Sequence, residues 1–485
     1  MLLGELATAD VKMPESARAI DIAGLSADSR AVEQGYLFAA LPGVAADGSR
    51  FAADAVRRGA VAVLAGGAAK IELSPDIALL RADDPRHTLA MMAARFYPRQ
   101  PEKLVAVTGT SGKTSVAAFV RQIFEAAGKS AASVGTLGIV SRKWTQYGTL
   151  TTPDPVALHA MLDRLARDGV SHAAVEASSH GLDQRRLDGL RLVAAGFTNL
   201  GRDHMDYHAT VEDYLGAKLR LFTALLPQDG RAVIDMDDEY SETVALAAAE
   251  RGHALIRTGR AGRELKLIEI LPEDFRQRLR IDAFGKRQDV LLPLAGAFQA
   301  SNALVAAGLA IGAGIDRDTA LAALEQLEGA PGRIELVGRK ANGAMVFIDY
   351  AHKPDAVASV LAALRPMTKG RLVIVLGAGG DRDAGKRPLM GEAAARDADV
   401  VIVTDDNPRS EDPALIRRAV MEGASDAIEI GDRERAIVEA VAMLEAGDVL
   451  CVAGKGHETG QIVGTETIAF SDHEVVRKAL GEVRS

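Results

Sequence analysis

Apolar residues in this chain come in short unbroken runs, separated by longer stretches with helical spacing. Residues 104–108 (LVAVT) form one such run and read as a buried strand. After it Val116, Phe119, Val120, Ile123, Phe124 and Ala127 recur every three or four positions, one face of a helix, and Gly128 supplies the stop. HAAVEA, LVAAGFTN and RAVID repeat the strand signature, and AMVFIDY, RLVIVLG, DVVIVTDD and DVLCVAGKG repeat it again in the last third. Strands alternating with helices predict parallel sheets covered on both faces, with ligands gathered at the carboxyl ends of strands. Proline-bearing interruptions at 97–103 (YPRQPEK) and 328–336 (EGAPGRIEL) divide the chain into segments 1–98, 99–330 and 331–485. No fixed-period repeat or low-complexity tract accompanies them.

One stretch departs from this pattern. Between Asp289 and Asp316 no residue is charged, a length that could cross a bilayer. Pro293, Gln299, Ser301 and Asn302 interrupt it, and Ala and Gly outnumber Leu and Ile. It reads as a strand end followed by a buried helix. The N-terminus MLLGELATADVK lacks a basic start and an apolar core, so no signal peptide is expected and the location expected is cytoplasmic.

Composition narrows the function classes. With 485 residues there is room for about three domains. A formal charge of −9 and only 4% aromatic residues argue against a nucleic-acid partner, although a local pocket for a small anion stays open. The single cysteine, Cys451, lies in an apolar run, which excludes an internal disulfide and a CxxC zinc site.

The strand LVAVT runs directly into GTSGKTS, and a helix follows. Backbone N–H groups of Gly109, Thr110, Ser111 and Gly112 and the helix start can surround phosphate oxygens. Lys113 adds charge, and Thr114 and Ser115 add hydroxyls. Val107 stands where the full phosphate-loop pattern has a glycine, leaving a shorter GxxGKT core. A nucleoside triphosphate is the expected ligand. Kinase, motor, GTPase and ligase all remain open at this point.

Two further clusters end strands: Glu176 in AVEASSHGL, and Asn199, Asp203, His204 and Asp206 in TNLGRDHMDYH. Carboxylates and an imidazole beside a phosphate loop suit magnesium, although a lone histidine filling a turn is an ordinary alternative. Lys218, among Leu215, Leu219 and Phe222 in a helical pattern, reads by itself as a solvated or snorkelling side chain.

Taken in order, GTSGKTS, TTPDP, EASSHGLDQRR, TNLGRDHMDYH, YLGAK, FQASNALVA, APGRIE, DYAHKPDA, GGDRDAGKRP, DDNPRSEDP and GKGHE resemble the Mur ligases from about Ser29 to Glu458. The resemblance implies three α/β domains: an N-terminal UDP-binding domain (1–98), a central P-loop ATPase-like parallel-sheet domain (99–330) and a C-terminal Rossmann-like domain (331–485). It implies an ATP-dependent, ADP-forming amide ligase of peptidoglycan precursor synthesis. An acyl phosphate forms at a substrate carboxylate, and an amine then displaces phosphate.

Carried over by motif, Lys113, Lys218 and His204 are the expected catalytic residues, and Thr114, Glu176 and His204 the expected magnesium ligands. Lys218 matches a carbamylated lysine (N6-carboxylysine), which reverses its solvated reading. Asn302, Arg333, Asp349 and His352 join the loop as nucleotide contacts; Lys353 replaces a frequent threonine after that histidine. Ser29, Arg30, Thr151, Thr152, Ser178, Gln184 and Arg186, with Lys218, match contacts to UDP-N-acetylmuramoyl-L-alanyl-D-glutamate. Arg382, Asp406, Asn407, Pro408, Arg409, Gly454 and Glu458 match an amino-acid pocket. meso-Diaminopimelate carries one more carboxylate than lysine, and the guanidinium of Arg409 suits it. L-Lysine as the added amino acid, a folylpolyglutamate-type synthetase and a non-catalytic nucleotide motor are the competing readings. A monomer suffices, because every site residue is supplied in cis.

Overall fold

The computed structural model describes residues 1–43, 47–146, 148, 150–201, 203–205, 207–273 and 275–481. Asp206 lies outside them. Contacts group the chain into two units, Met1–Leu265 with Val305–Ala320, and Lys266–Leu304 with Leu321–Ser485.

The first unit begins with four parallel strands in chain order, Gly24–Ser26, Tyr36–Ala40, Ala62–Gly66 and Ala78–Ala82. The helix Pro85–Phe96 follows, opened by a proline in its first turn and by Asp84, whose carboxylate accepts the His87 N–H. Six parallel strands come next, in the spatial order Ala254–Gly259, Arg231–Asp235, Leu192–Phe197, Lys103–Thr108, His172–Glu176 and Ala131–Gly135. Gly138–Ser141 and Thr145–Gln146 extend that edge antiparallel. The expected strands LVAVT, HAAVEA, LVAAGFTN and RAVID all lie here, and the apolar face from Val116 to Phe124 is fully buried on its helix, Lys113–Ala126. Register decides where chemistry collects. Thr108 pairs with Phe197 and Val107 with Glu176, so three strand ends open at one edge.

The charge-free stretch folds as expected into the strand Lys286–Leu292 and the helix Ala297–Gly312. Its small residues have a steric reason. A Cβ at Gly308 would lie 2.6 Å from the Val233 side chain, and at Gly312 3.1 Å from Ala194. Among the described residues no helix is long and apolar enough to cross a membrane.

In the second unit, strands 265–273, Arg276–Ala283 and Lys286–Leu292 lie side by side. A separate six-stranded sheet has the order Glu335–Arg339, Met345–Asp349, Val449–Ala453, Leu372–Leu376, Val400–Val403 and Ile428–Glu429. Only its first pair is antiparallel. Cys451 sits on one of the two central strands, fully buried, and burial pushes its thiol well above the ordinary range. A hairpin, Gly460–Val463 with Glu466–Ala469, completes this unit's strands.

Candidate active site

The phosphate loop hangs between a strand and a helix and is clamped from the next strand end. Thr198 Oγ1 donates to the Ser111 carbonyl at 2.6 Å, Asn199 Oδ1 accepts the Ser111 N–H at 2.9 Å, and the Asn199 carbonyl accepts the Thr110 N–H at 2.9 Å. Gly109 is required by close approach: a Cβ there would fall 1.9 Å from Thr198 Oγ1. Gly112, at φ +87°, turns the chain into the helix. Lys113 Nζ donates to the Gly109 and Thr110 carbonyls at 2.8 and 3.0 Å.

Lys218 Nζ donates to the same Gly109 carbonyl, also at 2.8 Å. Its side chain is 1% exposed, which overturns the solvated reading of its helical pattern. Burial first, and Lys113 second, pull its pKa well below the ordinary lysine value. The Tyr214 ring lies 4.3 Å below the nitrogen, one helical turn earlier in the chain, and its hydroxyl is 3.1 Å from Thr110 Oγ1. Burial raises the Tyr214 hydroxyl to about 12, so it stays protonated.

Glu176 is buried at its strand end and accepts hydrogen bonds from Thr114 Oγ1 at 3.0 Å, Thr136 N–H at 2.8 Å and Thr136 Oγ1 at 3.1 Å. Two expected magnesium ligands are therefore brought together, as hard oxygen donors beside the phosphate loop. Among the described residues no group of three or more His, Cys, Asp or Glu side chains could hold a metal unaided. Magnesium does not need one, because it keeps several waters and takes phosphate oxygens beside one or two protein ligands. His204, at φ +55°, stands 3.5 Å from Asp203 Oδ2, with its ring 4.7 Å from His180 and 6.3 Å from Tyr214.

The carboxylate tolerates no neighbour at Gly135, where a Cβ would lie 2.0 Å from Glu176 Oε1 and 2.4 Å from its carboxyl carbon. Gly135→Ala is expected to destabilise the fold by about 1–3 kcal/mol and to raise the magnesium concentration needed for half-maximal ATP turnover. An unchanged magnesium requirement would detach Glu176 from the metal.

Of the residues expected at the UDP-sugar peptide, Thr152 is a buried hub. Its hydroxyl donates to the Glu176 carbonyl at 2.8 Å and accepts from Ser178 N–H and Oγ at 3.0 Å each. Arg186 donates to the Thr152 carbonyl at 2.7 Å and to Gln184 Oε1 at 2.7 Å, while Thr151 Oγ1 lies 3.0 Å from Thr136 Oγ1. Thr151, Thr152, Ser178, Gln184 and Arg186 thus form one connected group. Ser29 and Arg30 sit apart in a short helix after the first strand, where Asp28 holds the largely exposed guanidinium of Arg30 at 2.8 Å.

The second unit carries two groups. Asn302 donates to Gln299 Oε1 at 3.2 Å, and Gln299 donates to the Arg333 carbonyl at 3.3 Å. The guanidinium of Arg333 lies 4.8 Å over the Tyr350 ring, with its Nε buried and without a hydrogen-bond partner. Asp349 accepts from the Ile334 and Ala351 N–H groups at 2.8 and 2.7 Å, and burial raises its pKa. His352 is held by the Tyr350 carbonyl at 2.7 Å, and burial lowers its pKa to about 4, so it is neutral.

The other group surrounds Arg409. That residue, at φ +52°, exchanges backbone hydrogen bonds with the hairpin at the Ile462 carbonyl and the Gly464 N–H, and its guanidinium donates to the Gly380 carbonyl at 2.8 Å. Asn407 donates to Glu458 at 3.0 Å, and a Cβ at Gly454 would lie 3.1 Å from Asp406 Oδ2. Pro408 lies in the same turn. Arg382 is exposed, with its Cγ 3.8 Å and the Arg409 guanidinium 2.9 Å from where a Gly379 Cβ would be.

Sequence reasoning missed Thr136, Tyr214 and Lys455. Tyr214 had a usable signal, one helical turn before Lys218. Lys455 lay in view inside GKGHE. Thr136 had none, because its role depends on a sheet neighbour forty residues away.

Family models match three stretches: "Mur ligase family, catalytic domain" at residues 21–97, "Mur ligase middle domain" at 107–310 and "Mur ligase, glutamate ligase domain" at 332–456. The UDP-N-acetylmuramoyl-L-alanyl-D-glutamate–2,6-diaminopimelate ligase of Mesorhizobium japonicum is 59% identical over 463 residues, 96% of each chain. That of Brucella melitensis is 56% identical over 480 residues, 99% of this chain and 98% of the other. A solved structure of a ligase with the same name superposes with a TM-score of 0.69 at 32% identity, covering 95% of both chains.

Proposed function

The chain belongs to the Mur ligase family, and on that premise we propose that it joins meso-diaminopimelate to the D-glutamyl carboxylate of UDP-N-acetylmuramoyl-L-alanyl-D-glutamate. It is an ATP-dependent, ADP-forming ligase of peptidoglycan synthesis. Relatives of that name at 59% and 56% identity support the substrate. Within the molecule the observation that carries it is Arg409, a guanidinium anchored on the Gly380 carbonyl two residues after Asn407, where lysine would offer no carboxylate.

The first step joins a carboxylate oxygen of the glutamyl group to the γ-phosphorus of ATP, and ADP leaves. In the second, the amine attacks the acyl carbon, phosphate leaves, and the amine's surplus proton passes to solvent. Triphosphate and carboxylate repel one another, and Lys113 offsets that charge once it turns from the Gly109 carbonyl to the β- and γ-phosphates. Magnesium, where bound, neutralises phosphate charge; Thr114 and Glu176 fit it, with His204 as the further ligand. Burial draws the Lys218 pKa well down, which favours the unprotonated amine that adds carbon dioxide, and as N6-carboxylysine it would present an anion beside Lys113. Asn302, Arg333, Asp349 and His352 are assigned to the nucleotide. Ser29, Arg30, Thr151, Thr152, Ser178, Gln184 and Arg186 are assigned to the UDP-sugar peptide, and Arg382, Asp406, Asn407, Pro408, Arg409, Gly454 and Glu458 to the amino acid. Domains 1–98, 99–330 and 331–485 divide these tasks, in a cytoplasmic monomer.

The test is competition. With precursor, ATP, magnesium and equal meso-diaminopimelate and L-lysine, mass spectrometry is expected to find the diaminopimelate adduct. Arg409→Ala is expected to raise KM for diaminopimelate about 30- to 100-fold, the loss of a paired charged contact, with KM for ATP unchanged. A lysine adduct would overturn the amino-acid assignment. ADP release without any adduct would overturn the precursor.

A further inference from the structure

Lys455 is a buried charge that no step above uses. Its side chain is 0% exposed, and Nζ donates to Asn407 Oδ1 at 2.9 Å and to the Gly460 carbonyl at 2.8 Å. Two carboxylates share the same ammonium, Asp406 Oδ1 at 3.4 Å and Glu458 Oε2 at 3.5 Å. Asp406 Oδ1 is buried without a hydrogen bond, so this ion pair is its compensation.

The neighbouring cation is already spoken for. Arg433 and Asp472 are both fully buried and pair at 2.7 Å. Lys386 and Tyr350 also face Asp406, and Tyr350 faces Glu458, its hydroxyl 3.4 Å from Oε1. The Lys386 ammonium donates to the His352 carbonyl at 2.9 Å, whereas Lys455 lies within ion-pair distance of both carboxylates.

Lys455 also decides how Asn407 points. Its ammonium and the Ile462 N–H, at 2.9 Å each, both donate to Asn407 Oδ1. A carbonyl oxygen must stand there, which turns the amide nitrogen toward Glu458 Oε2 at 3.0 Å. Glu458 is thereby held at the pocket mouth, 33% exposed.

We propose that Lys455 is a positioning and specificity-determining residue for the amino acid: it fixes the Asn407–Glu458 pair and compensates the buried Asp406, so that Glu458 receives a ligand ammonium while a ligand carboxylate sits at Arg409. This rests on the amino-acid pocket assigned above. Without the ammonium, Asp406 Oδ1 is buried with nothing to compensate it, and the Asn407 amide that holds Glu458 loses the donor that orients it.

The experiment measures kcat and KM for diaminopimelate in the full chain, with ATP and precursor saturating, for wild type, Lys455→Met and Arg409→Ala. Lys455→Met is expected to raise KM about tenfold or more, with kcat within about threefold. A rise in KM with kcat kept is what misplacing Glu458 gives, whereas a general structural defect lowers kcat as well. Asn407→Asp keeps a partner for Lys455 but sets a carboxylate against Glu458; it is expected to repeat the KM rise, and covers the case in which Lys455→Met does not fold. A KM raised by Arg409→Ala but untouched by the other variants, or a loss in kcat alone, would overturn the role of Lys455. A diaminopimelate KM unchanged in Arg409→Ala would instead overturn the pocket assignment.

Discussion

Lys113→Ala is expected to lower ADP formation about 10³-fold while moving the melting midpoint by no more than a few degrees. The side chain occupies the first turn of the loop's helix, and its ammonium is satisfied by two carbonyls of the loop itself, Gly109 and Thr110. Removing it leaves the Gly109 carbonyl still paired with Lys218 Nζ and takes away a polar group rather than an apolar one, so the fold loses little. Catalysis loses the cation nearest the phosphate cradle. A single-turnover assay of ADP release, with a thermal melt of the same sample, separates the two effects. A residual rate above about one tenth of wild type would remove Lys113 from the phosphate site.

Lys218→Met is expected to abolish ligation to a similar extent and, unlike Lys113→Ala, to make the protein more stable. The folded-state pKa of Lys218 lies well below its unfolded value because burial disfavours the ammonium. Between those two pKa values the unfolded chain holds the extra proton, so stability at neutral pH is reduced and rises as pH climbs toward the ordinary lysine range. Methionine removes the penalty and keeps the volume. In carbon-dioxide-free buffer the variant should melt a few degrees higher than wild type at pH 7, with the difference shrinking toward pH 10. The unprotonated amine is also what takes up carbon dioxide: the nitrogen lone pair bonds the carbon and one N–H proton leaves to water. ¹³C-bicarbonate should therefore give a carbamate resonance in wild type and none in Lys218→Met. A wild type without that resonance would sink N6-carboxylysine, and a variant that melts lower would sink the burial argument.

These two lysines mark how far the sequence could be read. Lys113 was legible because its neighbours along the chain, GTSG and the apolar helix behind it, make its environment locally. The strands were legible for the same reason, as runs such as LVIVL are buried on both faces and carry little besides β-branched and leucine side chains. Lys218 was not legible from periodicity. It lies on a helix whose neighbours permit exposure, and its burial comes from Gly109, more than a hundred residues earlier. The motif order supplied what the pattern could not. Even so, it pointed to Gly454 and Glu458 and passed over Lys455 between them, because a lysine in sequence looks the same whether it faces water or closes a charge cluster.

Cys451 has a use that has nothing to do with ligation. Its thiol is the only one in the chain and lies at the heart of the second unit's sheet, without solvent exposure. An alkylating reagent reaches it only when the strand Val449–Ala453 parts from its neighbours, Met345–Asp349 on one side and Leu372–Leu376 on the other. Native labelling speed thus reports how often that sheet breathes open. The wild-type chain carries its own stopwatch for the unit that holds the amino-acid pocket, and slower labelling in the presence of diaminopimelate would register ligand binding as a lengthening of the closed interval.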